Sequence, residues 1–201
     1  MIAVRHGIGA AERLREVHDL VLRNQDQPVT EKLKLVNNYL NNFPWFADRF
    51  LWQRDDYWAT LFETITTHGG DCEDIAIAKY GILRMMGIPD KKLAFVYVQN
   101  FLNKRHMVLT YMDSPDTDAL ILDSQHPEVL PSEKRRDIIE IYMFQSDGTF
   151  YLIEDDGKNF RKFKARYEGR KLSKWTLAMD REKKNNDLYA KYNSGRSLLP
   201  E

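Results

Sequence analysis

The segment Thr66-Thr67-His68-Gly69-Gly70-Asp71-Cys72-Glu73-Asp74 decides how the rest of the chain is interpreted. Cys72 is the one cysteine of the 201-residue sequence, so it has no partner for an internal disulfide. It lies where a helix is predicted to begin, and the dipole and free N–H groups of a helix N-terminus favour a thiolate. Because a thiolate beside an imidazole is a nucleophile, the segment predicts a cysteine-based acyl-transfer site.

The residues that follow predict a helix with recognisable ends. Asp71 is the expected N-cap, with Asp74 three residues later as a weak capping box. One face of the helix carries apolar side chains at helical spacing, namely Ile75, Ala78, Ile82, Met85 and Met86. We expect this face to be buried. Gly87 and the following Ile88-Pro89 end the helix.

The remaining periodicity predicts helices first and strands later. Helical spacing covers 10–23 and continues after Pro28, where Thr30 is the expected N-cap of a second helix. Strands are predicted over 93–98, 106–111, 118–123, 138–144, 150–154 and 160–167, with turns at Ser114-Pro115-Asp116 and Asp156-Gly157. A surface helix is predicted from Ser173 to about Tyr192. This order predicts an α+β fold.

The length favours one domain over two. We therefore expect a single domain over 1–201, with N-terminal helices at about 10–42, a catalytic core at about 58–170 and a C-terminal helix at about 173–192.

A cysteine nucleophile needs a base, and the base needs an orienting partner. If the strands around the Ser114-Pro115 turn pair so that Tyr111 opposes Asp118, then His106 opposes Asp123, with Cβ atoms about 4.5–5.5 Å apart. A carboxylate there accepts the Nδ1–H of the imidazole and directs the other ring nitrogen at Cys72. A register slip of one residue would break this arrangement.

Four other histidines are weaker candidates for the base. His68 is the main rival because it lies four residues before the cysteine, but we expect it to shape the loop that enters the helix. His126 has no comparable partner, and His6 and His18 are expected on the surface.

Asp71, Glu73 and Asp74 place three carboxylates around the cysteine, where they would raise the pKa of the thiol and oppose the nucleophile. Either they point away and cap the helix, or a hard cation such as calcium neutralises them. A zinc site built from Cys72, His68 and His106 matches no common ligand spacing.

Aromatic residues cluster between 43 and 58. They either pack the core or line a substrate groove, and Trp58 is our candidate for a groove residue.

Composition excludes several classes of function. The 30 basic and 30 acidic side chains give a net charge of zero, whereas a nucleic-acid binder is expected to be basic. A basic run at 162–171 is the main exception, and we expect it to be a solvated face, with a docking surface as the alternative. No apolar stretch approaches the roughly 18 residues of a membrane helix. The Met1–Gly7 start lacks the apolar core of a signal peptide.

The chain resembles the bacterial transglutaminase-like cysteine proteinases over about residues 10–170. The resemblance is carried by the stretch from Thr66 to Tyr80, by His106-Met107-Val108-Leu109-Thr110 and by Leu120-Ile121-Leu122-Asp123. It implies a papain-like, transglutaminase-type α+β fold, with the nucleophile at a helix N-terminus packed on an antiparallel sheet. It also implies a triad of Cys72, His106 and Asp123, and calcium bound by Asp71 and Glu73, with Asp74 as a third candidate ligand.

Within this family the chain is similar to the periplasmic adhesin proteases. That similarity implies a large cell-surface adhesin as substrate, cut near its N-terminal end so that cells leave a biofilm. It implies inhibition by the periplasmic domain of an inner-membrane cyclic-di-GMP receptor. It also implies a periplasmic location, with the export signal removed or trimmed.

We therefore expect a calcium-dependent cysteine endopeptidase. Two alternatives remain open from sequence: a transglutaminase or amidase that transfers the acyl group on the same fold, and a non-catalytic calcium-responsive binding module.

Overall fold

The computed structural model describes residues 7–114, 117–155, 161–167 and 173–193. Helices come first in the chain, strands follow, and one long helix comes last. The helices are α1 (Ile8–Asn24), α2 (Val29–Asn41), α3 (Asp48–Leu51), α4 (Leu61–Thr67), α5 (Cys72–Met85) and α6 (Ser173–Asn193). No helix in these described ranges is both long and apolar enough to cross a membrane.

The strands of the described residues form one antiparallel sheet. They are β1 (Leu93–Asn100), β2 (Arg105–Tyr111), β3 (Leu120–Leu122), β4 (Leu130–Pro131), β5 (Ile138–Phe144), β6 (Phe150–Asp155) and β7 (Arg161–Tyr167). Their order across the sheet is β4-β3-β2-β1-β5-β6-β7. Strand β1 lies in the middle of the sheet and pairs with β2 from Leu93↔Tyr111 to Gln99↔Arg105. The α+β architecture with the nucleophile helix on an antiparallel sheet is confirmed.

The main core lies between the sheet and the N-terminal helices. Leu33, Val36 and Leu40 of α2 are fully buried against the apolar face of α5. On the sheet side, β1 and β5 contribute Phe95 and Phe144, whose rings stack with centroids 5.0 Å apart. Burial of so many large apolar side chains is the dominant favourable term in folding.

The last helix closes this core from the other end of the chain. Trp175 of α6 is 4% exposed, and its ring lies 4.9 Å from that of Phe95. The indole N–H donates to the carbonyl of Ser146 at 2.8 Å, so the polar part of the buried ring is satisfied.

Most predicted elements are found within a few residues of their expected positions, and three local details are wrong. Helix α2 begins at Val29 after Pro28, so Thr30 is not its N-cap. Met85 is 49% exposed whereas Met86 is 1% exposed, so Met85 lies outside the buried face of α5. Asp74 does not complete a capping box, since the side chain of Asp71 accepts the backbone N–H of Glu73 and not that of Asp74.

The assumed register of the second hairpin is also wrong. Tyr111 pairs with Leu120 and Leu109 with Leu122, so the strands are shifted by two residues from the predicted pairing. The loop between β2 and β3 is longer than a tight turn, and its length could not be predicted from the sequence pattern. Because side chains alternate with a period of two, this shift keeps His106 and Asp123 on one face of the sheet.

Three sequence predictions cannot be compared with the structure. His6, the turn at Asp156-Gly157, and the side chains of the basic run at 162–171 lie outside the described residues.

Candidate active site

The N-terminus of α5 is built as the sequence predicts. The carboxylate of Asp71 accepts the backbone N–H of Glu73 at 3.2 Å, which makes Asp71 the N-cap. Gly70 pairs with Trp45 and is held by the Pro44 carbonyl at 3.4 Å. A Cβ on Gly70 would lie 2.5 Å from Oδ2 of Asp74, so only glycine lets the chain enter the helix with that carboxylate in place. Cys72 follows as a half-buried free thiol.

His106 and Asp123 are in direct contact. Nε2 of His106 on β2 lies 2.6 Å from Oδ1 of Asp123, which comes immediately after β3. Both side chains are buried, at 4% and 1% exposure. The predicted pair therefore exists, but the ring nitrogen facing the carboxylate is Nε2 and not Nδ1. The two-residue shift makes the contact diagonal, and the ring reaches Asp123 with its far nitrogen.

Both oxygens of the Asp123 carboxylate accept hydrogen bonds. Its Oδ1 also accepts the backbone N–H of Gln125 at 2.8 Å, and its Oδ2 accepts Nη2 of Arg135 at 2.7 Å. Burial alone would raise the pKa of Asp123. The hydrogen bond and charge of His106, with those of Gln125 and Arg135, outweigh burial and hold that pKa well below its usual range.

The thiol of Cys72 has other partners than the imidazole in this arrangement. Sγ donates to Oε2 of Glu73 at 2.8 Å, and the backbone N–H of Met107, next to His106 on β2, lowers the pKa of the thiol in part. On the base, Nδ1 of His106 faces Nε2 of Gln125 at 3.3 Å. Burial raises the pKa of the thiol, and the negative charge of Glu73 raises it further.

A second group of carboxylates lies behind the thiol. One oxygen from each of Asp48, Asp71 and Asp74 lies within 4.8 Å of the others. Asp48 Oδ1 and Asp74 Oδ2 are buried and have no hydrogen-bond partner of ordinary geometry. Orphaned buried carboxylate oxygens are costly, and an oxygen-only donor set is what a hard cation such as Ca²⁺ prefers. These residues fit such an ion.

The pKa shifts of this group have the same physical cause. Burial raises the pKa of Asp71 to about 9, with the charges of Glu73, Asp74 and Asp48 adding to it. Burial also raises the pKa of Asp74 to about 7, although the N–H of Ala59 and the indole of Trp52 lower it in part. Without a positive charge between them, these carboxylates repel one another.

Asp48 is the residue of this group that sequence reasoning missed. It begins the four-residue helix α3, and its Oδ2 accepts the backbone N–H of Tyr57 at 2.6 Å. No periodicity or motif connects position 48 with position 71. Glu73 was predicted as a ligand, but its carboxylate groups with Asp71 and Cys72 and not with Asp48 and Asp74. Its Oε1 accepts a hydrogen bond from the hydroxyl of Tyr97 at 2.8 Å.

The assignment of Trp58 to a substrate groove is corrected. Its side chain is 6% exposed, and its ring stacks on Phe144 with centroids 5.8 Å apart. Trp58 is therefore a core residue, because the segment after α3 runs beneath the C-terminal helix. Another tryptophan, Trp45, is 64% exposed beside Gly70 and lines a cavity of about 260 Å³ with Phe43 and Gln125.

The rings of the other described histidines, His18, His68 and His126, have partners other than His106 and Asp123. His68 ends α4 in the left-handed conformation (φ 60°) and packs edge-on against Phe43, so it shapes the loop entering α5 as expected. The His126 ring bonds to the Glu128 backbone, and His18 is exposed on α1.

Comparisons with known proteins agree with this geometry. The family model of the bacterial transglutaminase-like cysteine proteinases matches residues 13–139. The chain therefore belongs to this family.

Among solved structures, calcium-bound LapG of Legionella pneumophila is 32% identical with a TM-score of 0.73, covering 87% of this chain and 91% of that one. The EGTA-treated form of the same protein is 31% identical with a TM-score of 0.73, covering 86% of this chain and 89% of that one. A comparison with curated protein sequences gave no significant match. The protein is a cysteine protease of the LapG type.

Proposed function

We propose that the protein is a calcium-dependent cysteine endopeptidase in which Cys72, His106 and Asp123 form the catalytic triad. The observation that carries this proposal is the buried 2.6 Å contact between Nε2 of His106 and Oδ1 of Asp123, on the strand β2 against which the helix that begins at Cys72 packs. Family membership supplies the class of chemistry.

The proposed roles are those of a cysteine-protease triad. Asp123 holds the Nε2–H of His106, so Nδ1 keeps its lone pair and removes the thiol proton of Cys72. The thiolate attacks the scissile carbonyl, and the backbone N–H of Cys72 helps to stabilise the oxyanion. His106 then returns the proton to the leaving amine as the C–N bond breaks. Water hydrolyses the resulting thioester and restores the free thiol.

Two hydrogen bonds of the structure must change before this reaction. Glu73 now accepts the thiol proton, and Gln125 now occupies the side of His106 that receives it. Substrate entry that moves the exposed Gln125 side chain would free Nδ1, and neutralisation of the acidic residues would free the thiol from Glu73.

Asp48, Asp71 and Asp74, with Glu73 beside them, are the residues proposed to hold calcium. Bound there, the ion supplies positive charge that offsets the carboxylates behind the nucleophile. Support comes from the two orphaned carboxylate oxygens and from the similarity to a calcium-bound LapG.

The proposed substrate is the N-terminal region of a large cell-surface adhesin, whose cleavage releases the adhesin and disperses a biofilm. The proposed regulator is the periplasmic domain of an inner-membrane cyclic-di-GMP receptor, and the proposed location is the periplasm. Support for these three proposals is the sequence resemblance to periplasmic adhesin proteases over about residues 10–170, together with the structural similarity to LapG over 87% of the chain.

Incubation of the protein with the adhesin N-terminal region, read by fragment mass, tests the activity. We expect one defined cut with calcium, none with excess EGTA, and none with Cys72→Ala, which should keep its unfolding temperature. A labelled amine in the same reaction separates hydrolysis from transfer, since incorporation into the new carboxyl terminus would assign an amidase or transglutaminase reaction. Full cleavage by Cys72→Ala would overturn the proposed nucleophile.

Addition of the receptor's periplasmic domain tests the regulator. We expect it to stop cleavage at a one-to-one ratio, and unchanged cleavage at saturating receptor domain would exclude it as the inhibitor.

A further inference from the structure

Arg135 is a buried cation that the proposed reaction does not use. It lies between β4 and β5 and is 3% exposed. Its Nη2 donates to Oδ2 of Asp123 at 2.7 Å, and its Nε and Nη2 donate to the two oxygens of Asp137, each at 2.8 Å. Buried arginines are rare unless paired, and this one is paired with the acid of the proposed triad.

The backbone around Arg135 is anchored independently of these side-chain bonds. The N–H of Ser132 donates to the Ala119 carbonyl at 2.8 Å, and the Ser132 hydroxyl donates to Asp118 at 2.6 Å. The N–H of Arg135 then donates to the carbonyl of Ser132 at 3.0 Å. The backbone of Arg135 is therefore tied to the segment that leads into β3, and Asp123 comes immediately after β3.

The two oxygens of Asp123 face different partners. Oδ1 accepts from His106 and from the Gln125 backbone, whereas Oδ2 accepts from Arg135. A carboxylate held through one oxygen alone can rotate about its Cβ–Cγ bond. The charge-assisted bond at the second oxygen removes that freedom and fixes the carboxylate plane. His106 is bound through Nε2 to this carboxylate, so the orientation of the ring follows that of Asp123.

We propose that Arg135 is a positioning residue of the active site, which fixes the carboxylate of Asp123 and through it the ring of His106. The role rests on the proposed peptidase function for its kinetic consequence, but the coupling between the three side chains does not. Asp137 completes the arrangement by holding the other edge of the guanidinium, and its side chain is 51% exposed.

The surroundings of Arg135 make a chemical rescue experiment feasible. A cavity of about 270 Å³ is lined by Arg135, Asp123 and His106, and by Phe101 and Leu102 at the tip of the β1–β2 hairpin. Both hairpin residues are about three-quarters exposed, at 75% and 76%, so this side of the site is open to small solutes. Truncation of Arg135 to alanine would enlarge the cavity next to Asp123.

The first test measures cleavage by Arg135→Ala with and without added guanidinium ion. We expect kcat to fall by about 100-fold, the effect of misplacing a catalytic group by about 1 Å, with KM little changed. Millimolar guanidinium, below denaturing concentrations, should restore part of kcat, and equal sodium chloride should not. Arg135→Lys should retain more activity than Arg135→Ala. Arg136→Ala, which removes the exposed neighbouring arginine, is the matched control and should behave as wild type.

The second test needs no peptidase activity and uses the Cys72→Ala protein. The proton shared by His106 and Asp123 should give a downfield resonance that exchanges slowly with water. Adding Arg135→Gln should broaden or remove this resonance, while adding Arg136→Ala should leave it in place.

An unchanged resonance together with an unchanged kcat in the Arg135 variants would overturn the proposal. An absence of cleavage by the wild-type protein with a lost resonance in Arg135→Gln would overturn the peptidase function and keep the coupling. If Arg135→Ala does not fold, Arg135→Lys and Arg135→Gln carry both measurements.

Discussion

The Cys72 thiol donates its hydrogen bond to Oε2 of Glu73 at 2.8 Å. The other carboxylate oxygen of Glu73 is held by the Tyr97 hydroxyl, also at 2.8 Å, so Glu73 is fixed against the sulfur from two sides. A carboxylate in this position stabilises the neutral thiol and opposes the thiolate. Glu73 therefore favours the protonated form of Cys72, the proposed nucleophile.

Calcium should accelerate the alkylation of Cys72. Burial and the charge of Glu73 raise the pKa of the thiol, and a cation among the neighbouring carboxylates offsets that charge and increases the thiolate fraction. The measurement is the rate of iodoacetamide modification at pH 7.5, in calcium and in EGTA, followed by intact mass. Equal rates in the two buffers would mean that no cation reaches the nucleophile.

Asp48→Asn should weaken calcium binding by roughly tenfold or more, because it removes one charged ligand from the proposed set. The asparagine still has an oxygen to accept the N–H of Tyr57, so the α3 loop should persist. Isothermal titration calorimetry measures the affinity. Asp55→Asn is the control, since Asp55 is exposed and pairs with Arg49. Equal affinity in wild type and Asp48→Asn would remove Asp48 from the site.

Trp58→Ala should destabilise the fold by about 3–5 kcal/mol, the usual cost of removing a large buried ring. Trp58→Phe keeps an aromatic ring against Phe144 and should retain kcat and KM. Chemical unfolding and peptide cleavage measure the two effects. A large rise in KM for Trp58→Phe, with stability preserved, would instead indicate that this side chain contacts substrate.

Lys79 should make stability depend on pH above neutrality. It is fully buried, with Nζ 2.7 Å from Oδ1 of Asn37, and burial lowers its pKa from 10.5 to about 7. Between these two values the unfolded chain binds the proton and the folded chain does not, so stability rises with pH in this window. The upper limit is about 1.4 kcal/mol per pH unit.

Urea unfolding of wild type and Lys79→Met at pH 7, 8 and 9, in constant EGTA, measures this effect. The stability of wild type relative to the variant should increase across the series, because the contributions of other groups cancel in the difference. If the stability difference between wild type and Lys79→Met did not change with pH, Lys79 would keep its charge in the folded protein through its hydrogen bond to Asn37.

The sequence predicted the elements well because each carries a local signal. Asp71 caps α5 and Gly87 has a positive φ of 85° just beyond it, as capping chemistry requires. Strand β5 has the predicted bounds, Ile138–Phe144. The pairing register was not predictable in this way, since it depends on the length of a loop and on the neighbouring strands. The contact between His106 and Asp123 was nevertheless correct, because the shift of two residues preserved the face.

The sequence by itself determined the class of fold and the helix that begins at Cys72, and it predicted that His106 and Asp123 lie together, because short-range capping, periodicity and residue chemistry encode them. Only the tertiary structure brought Asp48 to Asp71 and Asp74, placed Arg135 on Asp123, and buried the ring of Trp58. These contacts join residues far apart in the chain, and their geometry is set by how helices pack on the sheet. Local sequence patterns therefore do not predict these contacts.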